Sequence, residues 1–394
     1  DIRKVFSEKK VVTQFNQELK LNLVNVKTNN KIIDSKNNYG IQEYSGLINK
    51  TGNYKFSKLE NVNNLNFKPL FLSDGLIFFD KKGSIIKYDN NQKVLWKKNY
   101  YSKSEKKLKP KLNFVLINEN LLITDSIAKY YSINVNSGEL IWSKNNIYPF
   151  NSEIKIFDNK FFIIDFSNTL RCFSLENGNE LWNIKTENSL IRSQKKLSMV
   201  IINGVIYFNN SIGDISAVDI NKGDLLWQLP TQSSLIYESA FSLETSDIIA
   251  DNDSLFFSNN KNEFFSIDVK SGSFNWKNKV NSSLKSTLVG NYLFSVSLEG
   301  YLIIIEKNTG NIIRATDVFD NFKSKKRSLI KPTGFVIGIN NIYLSTDNGK
   351  LLIIDILSGK TISTLKIDNE KISRPFFSGK SLFIIKDNAI IKLN

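Results

Sequence analysis

The sequence predicts an all-β fold: an eight-bladed β-propeller of four-stranded antiparallel blades, with its ring closed by an N-terminal strand. Three observations predict it. All five tryptophans stand in one recurring frame, a strand–turn–strand pattern precedes each frame, and the last hairpin ends at Asn394 with no outer strand to follow it. Self-similarity at a period of about 40–45 residues is the mark of a four-stranded blade, and a chain of 394 residues holds eight of them.

The frame is a Gly turn followed four residues later by Trp. Gly138 precedes Trp142, Gly178 precedes Trp182, Gly223 precedes Trp227 and Gly272 precedes Trp276; ahead of Trp96, Gln92 takes the glycine's place. Two further copies keep the frame without the Trp: Gly310 leads to Arg314 and Gly359 leads to Ser363. Glycine at this turn tolerates the positive φ of a tight hairpin. The five tryptophans are expected to wedge between adjacent blades, at a cost of roughly 3–5 kcal/mol if one is truncated.

Ahead of each frame runs a hairpin such as 204–209 with 215–219, and its second strand ends in a polar turn residue. Its near-continuous Ile, Leu and Phe suit strands covered on both faces, as in stacked blades. The eighth hairpin, 382–385 with 389–393, reaches the chain end. Its missing outer strand must come from upstream, or an edge stays open. Two segments are candidates, Glu18–Val26 with apolar alternation at Leu19, Leu21 and Leu23, and Tyr54–Phe56. Residues 1–40 are assigned to an N-terminal tether carrying a candidate closing strand, and 41–394 to one propeller domain. Residues 27–53, rich in Asn, Lys and Gly, read as a loop that wraps the ring.

Composition narrows the chemistry. Histidine is absent, which excludes Ser-His-Asp and Cys-His machinery, His-ligated zinc and His-held haem. The one cysteine, Cys172, forms no intramolecular disulfide and reads as a small core residue. Asp89, Asp219, Asp268 and Asp355 sit at strand ends, where Asp favours turns. No catalytic residue, metal ligand or cofactor site is assigned. Net charge is +15, with the lysines scattered along the chain. No nucleic-acid partner is expected, since such sites concentrate charge or interleave it with stacking aromatics.

The Gly–Trp frame after a strand ending in Asp differs from the Trp-Asp pattern of WD repeats. It resembles the PQQ-like propeller repeat and, among its members, the outer-membrane assembly factor family BamB. The stretches Asp347–Leu351, Ser358–Lys360, Lys366–Asp368, Arg374-Pro375 and Leu382–Ile384 carry the closest likeness, within a resemblance over roughly 60–394. That resemblance implies a monomeric, non-catalytic scaffold on the periplasmic side of the outer membrane. Its partners would be the POTRA domains of the barrel subunit BamA, and unfolded outer-membrane proteins held by strand addition. It also implies a lipoprotein anchor, which would lie upstream of Asp1. Partner contacts would fall on two inter-blade loops, at Leu190, Ile191 and Arg192 after the third Trp strand and at Asp247 after the fourth.

Two other readings compete. A propeller scaffold could bind a different protein or an anionic polymer or lipid, and a single basic face would favour it. A PQQ-dependent dehydrogenase needs a free Trp platform, calcium ligands and a carboxylate base. Every Trp here belongs to the repeat, so that enzyme is the remote reading.

Overall fold

In the computed structural model, which describes residues 21–23, 34–59, 67–186, 195–232 and 243–394, the chain forms eight four-stranded antiparallel sheets. Seven are built from consecutive strands: 70–98, 112–145, 155–185, 199–229, 249–278, 287–317 and 332–366. The eighth takes Phe376–Ser378, Ser381–Lys386 and Ala389–Leu393 from the C-terminus and Lys50–Lys55 from the N-terminal region. The fold is thus the eight-bladed propeller that the repeat predicts.

The second and third strands of each blade are buried on both faces, as in Gly75–Phe79, Lys160–Ile164 and Ile215–Asp219. They supply the Phe, Ile and Leu that pack blade against blade; one cluster joins residues of the first, second and eighth blades. The outer strands are the least buried of each blade, as in Val94–Lys98 and Leu140–Asn145. Leu95, Ile141, Leu181 and Leu226 remain about half exposed on this rim.

The ring closes through Lys50–Lys55, which pairs antiparallel with the last strand in the register Tyr54↔Ile390 and Asn53↔Ile391. Of the two candidate closing segments, the one containing Tyr54 is therefore the strand, and it begins four residues earlier, at Lys50. Residues 21–23, the described part of Glu18–Val26, form no strand; Leu21 and Leu23 instead pack on the core between the sixth and seventh blades. The physical reason is size and burial: Tyr54 is 2% exposed and meets Tyr88 and Phe383 edge-on or tilted. The closing strand thus lies beyond the 1–40 tether, and the loop expected over 27–53 gives way to this strand at Lys50; its described part, from residue 34, runs inside the ring instead of wrapping it, because its Asn side chains bond inner-strand backbone.

Every outer strand carries a β-bulge just before its tryptophan slot, between the partners of Lys87 and Tyr88 in the first blade, for example. The bulge re-aims that side chain onto the turn of the following blade. A Cβ on Gly178, Gly223, Gly272 or Gly310 would stand 2.6–2.8 Å from the indole of Trp142, Trp182, Trp227 or Trp276. Each of these glycines also has φ between +69° and +76°. The glycine that opens one frame therefore serves the tryptophan of the preceding blade. Trp227 and Trp276 donate Nε1–H to Val269 O at 3.2 Å and Lys307 O at 2.8 Å, across the same junctions. Where Trp is absent, Arg314 donates to Leu357 O of the next turn. At the closing junction the sizes are exchanged: Gly52 occupies the slot and Gln92 fills it, accepting a 3.1 Å bond from Asn53 N.

Turns after the second strand are held by a buried polar residue. Asp125 accepts from Ile127 N at 2.9 Å and Lys129 N at 2.8 Å, and from the Tyr101 hydroxyl at 2.6 Å. Burial pushes its carboxyl up to about 6, against the opposing pull of those donors and the Lys129 ammonium.

Two predictions follow from this packing. The indoles are half-buried, so Trp142→Ala should cost about 2–3 kcal/mol rather than the larger figure for a full core side chain. Gly178→Ala should cost a similar amount through strain and collision, roughly 2–3 kcal/mol. In urea unfolding the double variant should cost less than the two singles together, because removing the indole relieves the clash; strict additivity would contradict the contact. For Asp125 the folded value lies above the ordinary 3.8, so its protonated form is favoured by folding. That contribution is present below about pH 4 and is lost as pH rises through 6. Asp125→Asn should flatten the stability profile between these limits by up to about 3 kcal/mol; an unchanged slope would refute the assignment.

Candidate interaction face

The connections that follow the second and fourth strands of each blade all emerge on one face of the ring, and those that follow the first and third emerge on the other. Asp89, Asp219, Asp268 and Asp355 lie on the second face, each accepting amides of its own turn, as Asp219 does from Asn221 N at 2.9 Å and Lys222 N at 2.8 Å. The inter-blade connections 99–111, 146–154, 186–198 and 230–248 belong to the first face. Leu190, Ile191 and Arg192 fall in the third of these and lie outside the described residues.

Asp247 is described. It sits two residues before the inner strand Ile249–Ala250 of the fifth blade, half-buried at the axial end of its loop. Its carboxylate acts on Lys195, Lys196 and Arg374, which converge there from the third, fourth and eighth blades' ends. Burial pushes Lys195 and Lys196 below the usual lysine range, and Asp247 counters it. Glu153 lies in the same ring of charge. Burial alone would raise its carboxyl, but Lys196, Lys155, Lys285 and Lys68 outweigh it and hold it below the usual carboxylate range.

The axis inside this ring is occupied by the chain itself. Asn37, in the left-handed region at φ 55°, donates Nδ2–H to Met199 O at 3.0 Å and Ile248 O at 2.9 Å, and accepts from Lys155 Nζ at 2.5 Å. Asn38 exchanges two 3.0 Å bonds with the backbone of Leu288. Ile41 bridges Ile337 in parallel, and Tyr44 packs between Tyr343 and Phe377. A segment that touches the inner strands of the third to eighth blades can lie only on the ring's axis. Tyr39 presents its ring to Lys285 at 4.1 Å, Lys68 at 5.2 Å and Arg374 at 5.3 Å, a cation–π arrangement that draws three cations to one aromatic face.

These axial charges are functional candidates that sequence reasoning missed. A partial signal exists: Lys68-Pro69 and Arg374-Pro375 both stand just before inner strands. Cys172 is fully buried in its strand, and burial pushes its thiol up to about 12, far from a reactive thiolate. Among the described residues no three acidic or Cys side chains gather into a metal-holding group. What the face offers is charge, a caged aromatic ring and inter-blade loops.

No curated protein matches the chain by sequence. Among solved structures, BamB from Moraxella catarrhalis superposes with a TM-score of 0.70 at 14% identity, over 88% of this chain and 100% of that one. The computationally designed Ika8 protein gives 0.64 at 11% identity, over 86% and 99%. A quinohemoprotein alcohol dehydrogenase from Comamonas testosteroni gives 0.66 at 8% identity, over 90% and 78%. At such identities these likenesses establish the propeller alone. The family described as outer membrane protein assembly factor BamB matches residues 81–316, five of the eight blades and parts of a sixth, and the chain belongs to that family.

Proposed function

We propose that this chain is a non-catalytic scaffold subunit of the machinery that assembles outer-membrane β-barrels, working on the periplasmic side of the outer membrane. In this reading the inter-blade loops bind the POTRA domains of the barrel subunit BamA. The family match over 81–316 carries the proposal. The axial plug supports binding at loops over chemistry at the axis, because residues 34–44 occupy the axis among the inner strands. Leu190, Ile191 and Arg192 on one connection and Asp247 on the next supply the contact, combining an apolar pair with a charge of each sign. The rigid ring sets the spacing of these two connections, and the connections do the binding.

The test is capture of the purified chain by the POTRA domains of BamA from the same organism. Wild type should be retained, and Arg192→Glu should weaken retention by at least roughly tenfold, as expected when one charge of an interface is reversed. Absence of capture at modest salt would contradict the reading.

A further inference from the structure

The scattered lysines of the sequence gather in space. The turn 80–84 of the first blade and the connection 99–111 to the second meet on the same face as the axial charges. Together they line an open basin of about 340 Å³ with Lys81, Lys82, Lys103, Lys106, Lys107 and Lys109. Local structure arranges this. Ser102 caps the short helix Lys103–Lys107 in a capping box with Glu105, whose carboxylate accepts Ser102 N at 2.7 Å. That register places Lys103, Lys106 and Lys107 on one side, at i, i+3 and i+4.

The neighbouring carboxylates are turned elsewhere. Glu105 pairs with Lys129 at 3.0 Å, and buried Asp80 pairs with Lys97 at 2.7 Å while accepting amides of its own turn. Among the described residues, Lys82, Lys103, Lys106 and Lys107 form no ion pair, which leaves four ammoniums facing one basin. Two exposed apolar side chains share that face: Leu108, at 66% exposed, stands in sequence between the basin residues Lys107 and Lys109, and Ile147, at 80%, lies in the next inter-blade connection.

We propose that this basin is a docking site for the phosphate headgroups of an anionic phospholipid bilayer, with Leu108 and Ile147 entering the headgroup boundary. Lysines act as point charges toward phosphate, without the planar fork that pairs with carboxylates, and they keep their stems along the surface while their charges reach the headgroups. Isolated apolar tips beside basic residues suit the membrane interface. Protein hot spots favour Tyr, Trp and Arg, and single-stranded nucleic acid favours stacking aromatics; the basin is lined by lysine alone. The inference does not rest on POTRA binding, because the basin lies at the junction of the first and second blades, whereas Arg192 and Asp247 belong to later junctions.

The test uses vesicles of phosphatidylcholine with and without about one third phosphatidylglycerol, near 0.1 M salt. Wild type should co-sediment with the anionic vesicles and not with the neutral ones. The triple change Lys82→Glu, Lys103→Glu and Lys107→Glu should weaken binding by roughly a hundredfold, about fivefold for each lysine lost. An equal charge change on the opposite face, Lys93→Glu, Lys222→Glu and Lys360→Glu, controls for net charge and should alter binding by no more than about threefold. Both triples alter exposed side chains and should keep the wild-type melting temperature. Equal loss in the two triples, binding to neutral vesicles or no binding by wild type would each overturn the proposal.

Discussion

Everything in this molecule depends on the pairing of Lys50–Lys55 with Ala389–Leu393, which turns a row of blades into a ring. Bringing together segments so far apart in sequence costs about 5 kcal/mol in chain entropy. The ladder returns roughly 1 kcal/mol per hydrogen bond, which about offsets that cost over a five-residue register. The margin comes from side chains. Tyr54 is buried among Tyr88 and Phe383, the Tyr88 hydroxyl donates to Lys55 O at 2.6 Å, and Gln92 fills the space beside Gly52. The closing strand is thus locked to the first blade as well as to the eighth. The same pairing satisfies the last strand's backbone, which would otherwise be an open edge.

The repeat was legible because its signal is local and sevenfold redundant. A polar strand end, a turn residue that is Gly in all but the first copy and a slot four residues on, filled by Trp in five copies and by Arg314 and Ser363 in the other two, recur in every blade but the last. The closing strand was legible only as one of two candidates, because the apolar alternation at Leu19, Leu21 and Leu23 reads as a strand as readily as Tyr54 does. Burial decided between them, and burial at the seam is a property of the closed ring. The bulge before each tryptophan was not legible either. It inserts one residue, changes no residue type, and shows only in the register. For the same reason the partner of each tryptophan, a glycine about 40 residues downstream, emerges only when the blades are stacked.

The candidate site shows the same division. Asp247 reads from sequence as a loop residue, yet it faces the axis among Lys195, Lys196 and Arg374. The lysines appear scattered along the chain because a propeller returns every inter-blade connection to one face at intervals of about one blade. Lys81 and Lys109 stand in different turns and line one basin. Meanwhile residues 34–44, which read as featureless Asn- and Lys-rich loop, supply the axial plug through side-chain amides bonded to inner-strand backbone. Asn is suited to that place, since its amide both donates and accepts and it tolerates positive φ. The proposed scaffold role fits this division of labour, in which strands fix the ring and the plug fills its axis.

Native-state amide hydrogen exchange, read separately for 50–55 and 389–393, tests the closed ring most directly. If the account is right, both segments are protected to the level of interior strands such as Ile215–Asp219, and they open together. Rapid exchange in 389–393 while the interior blades stay protected would mean that the ring is open at this seam, and the account of its closure would be wrong.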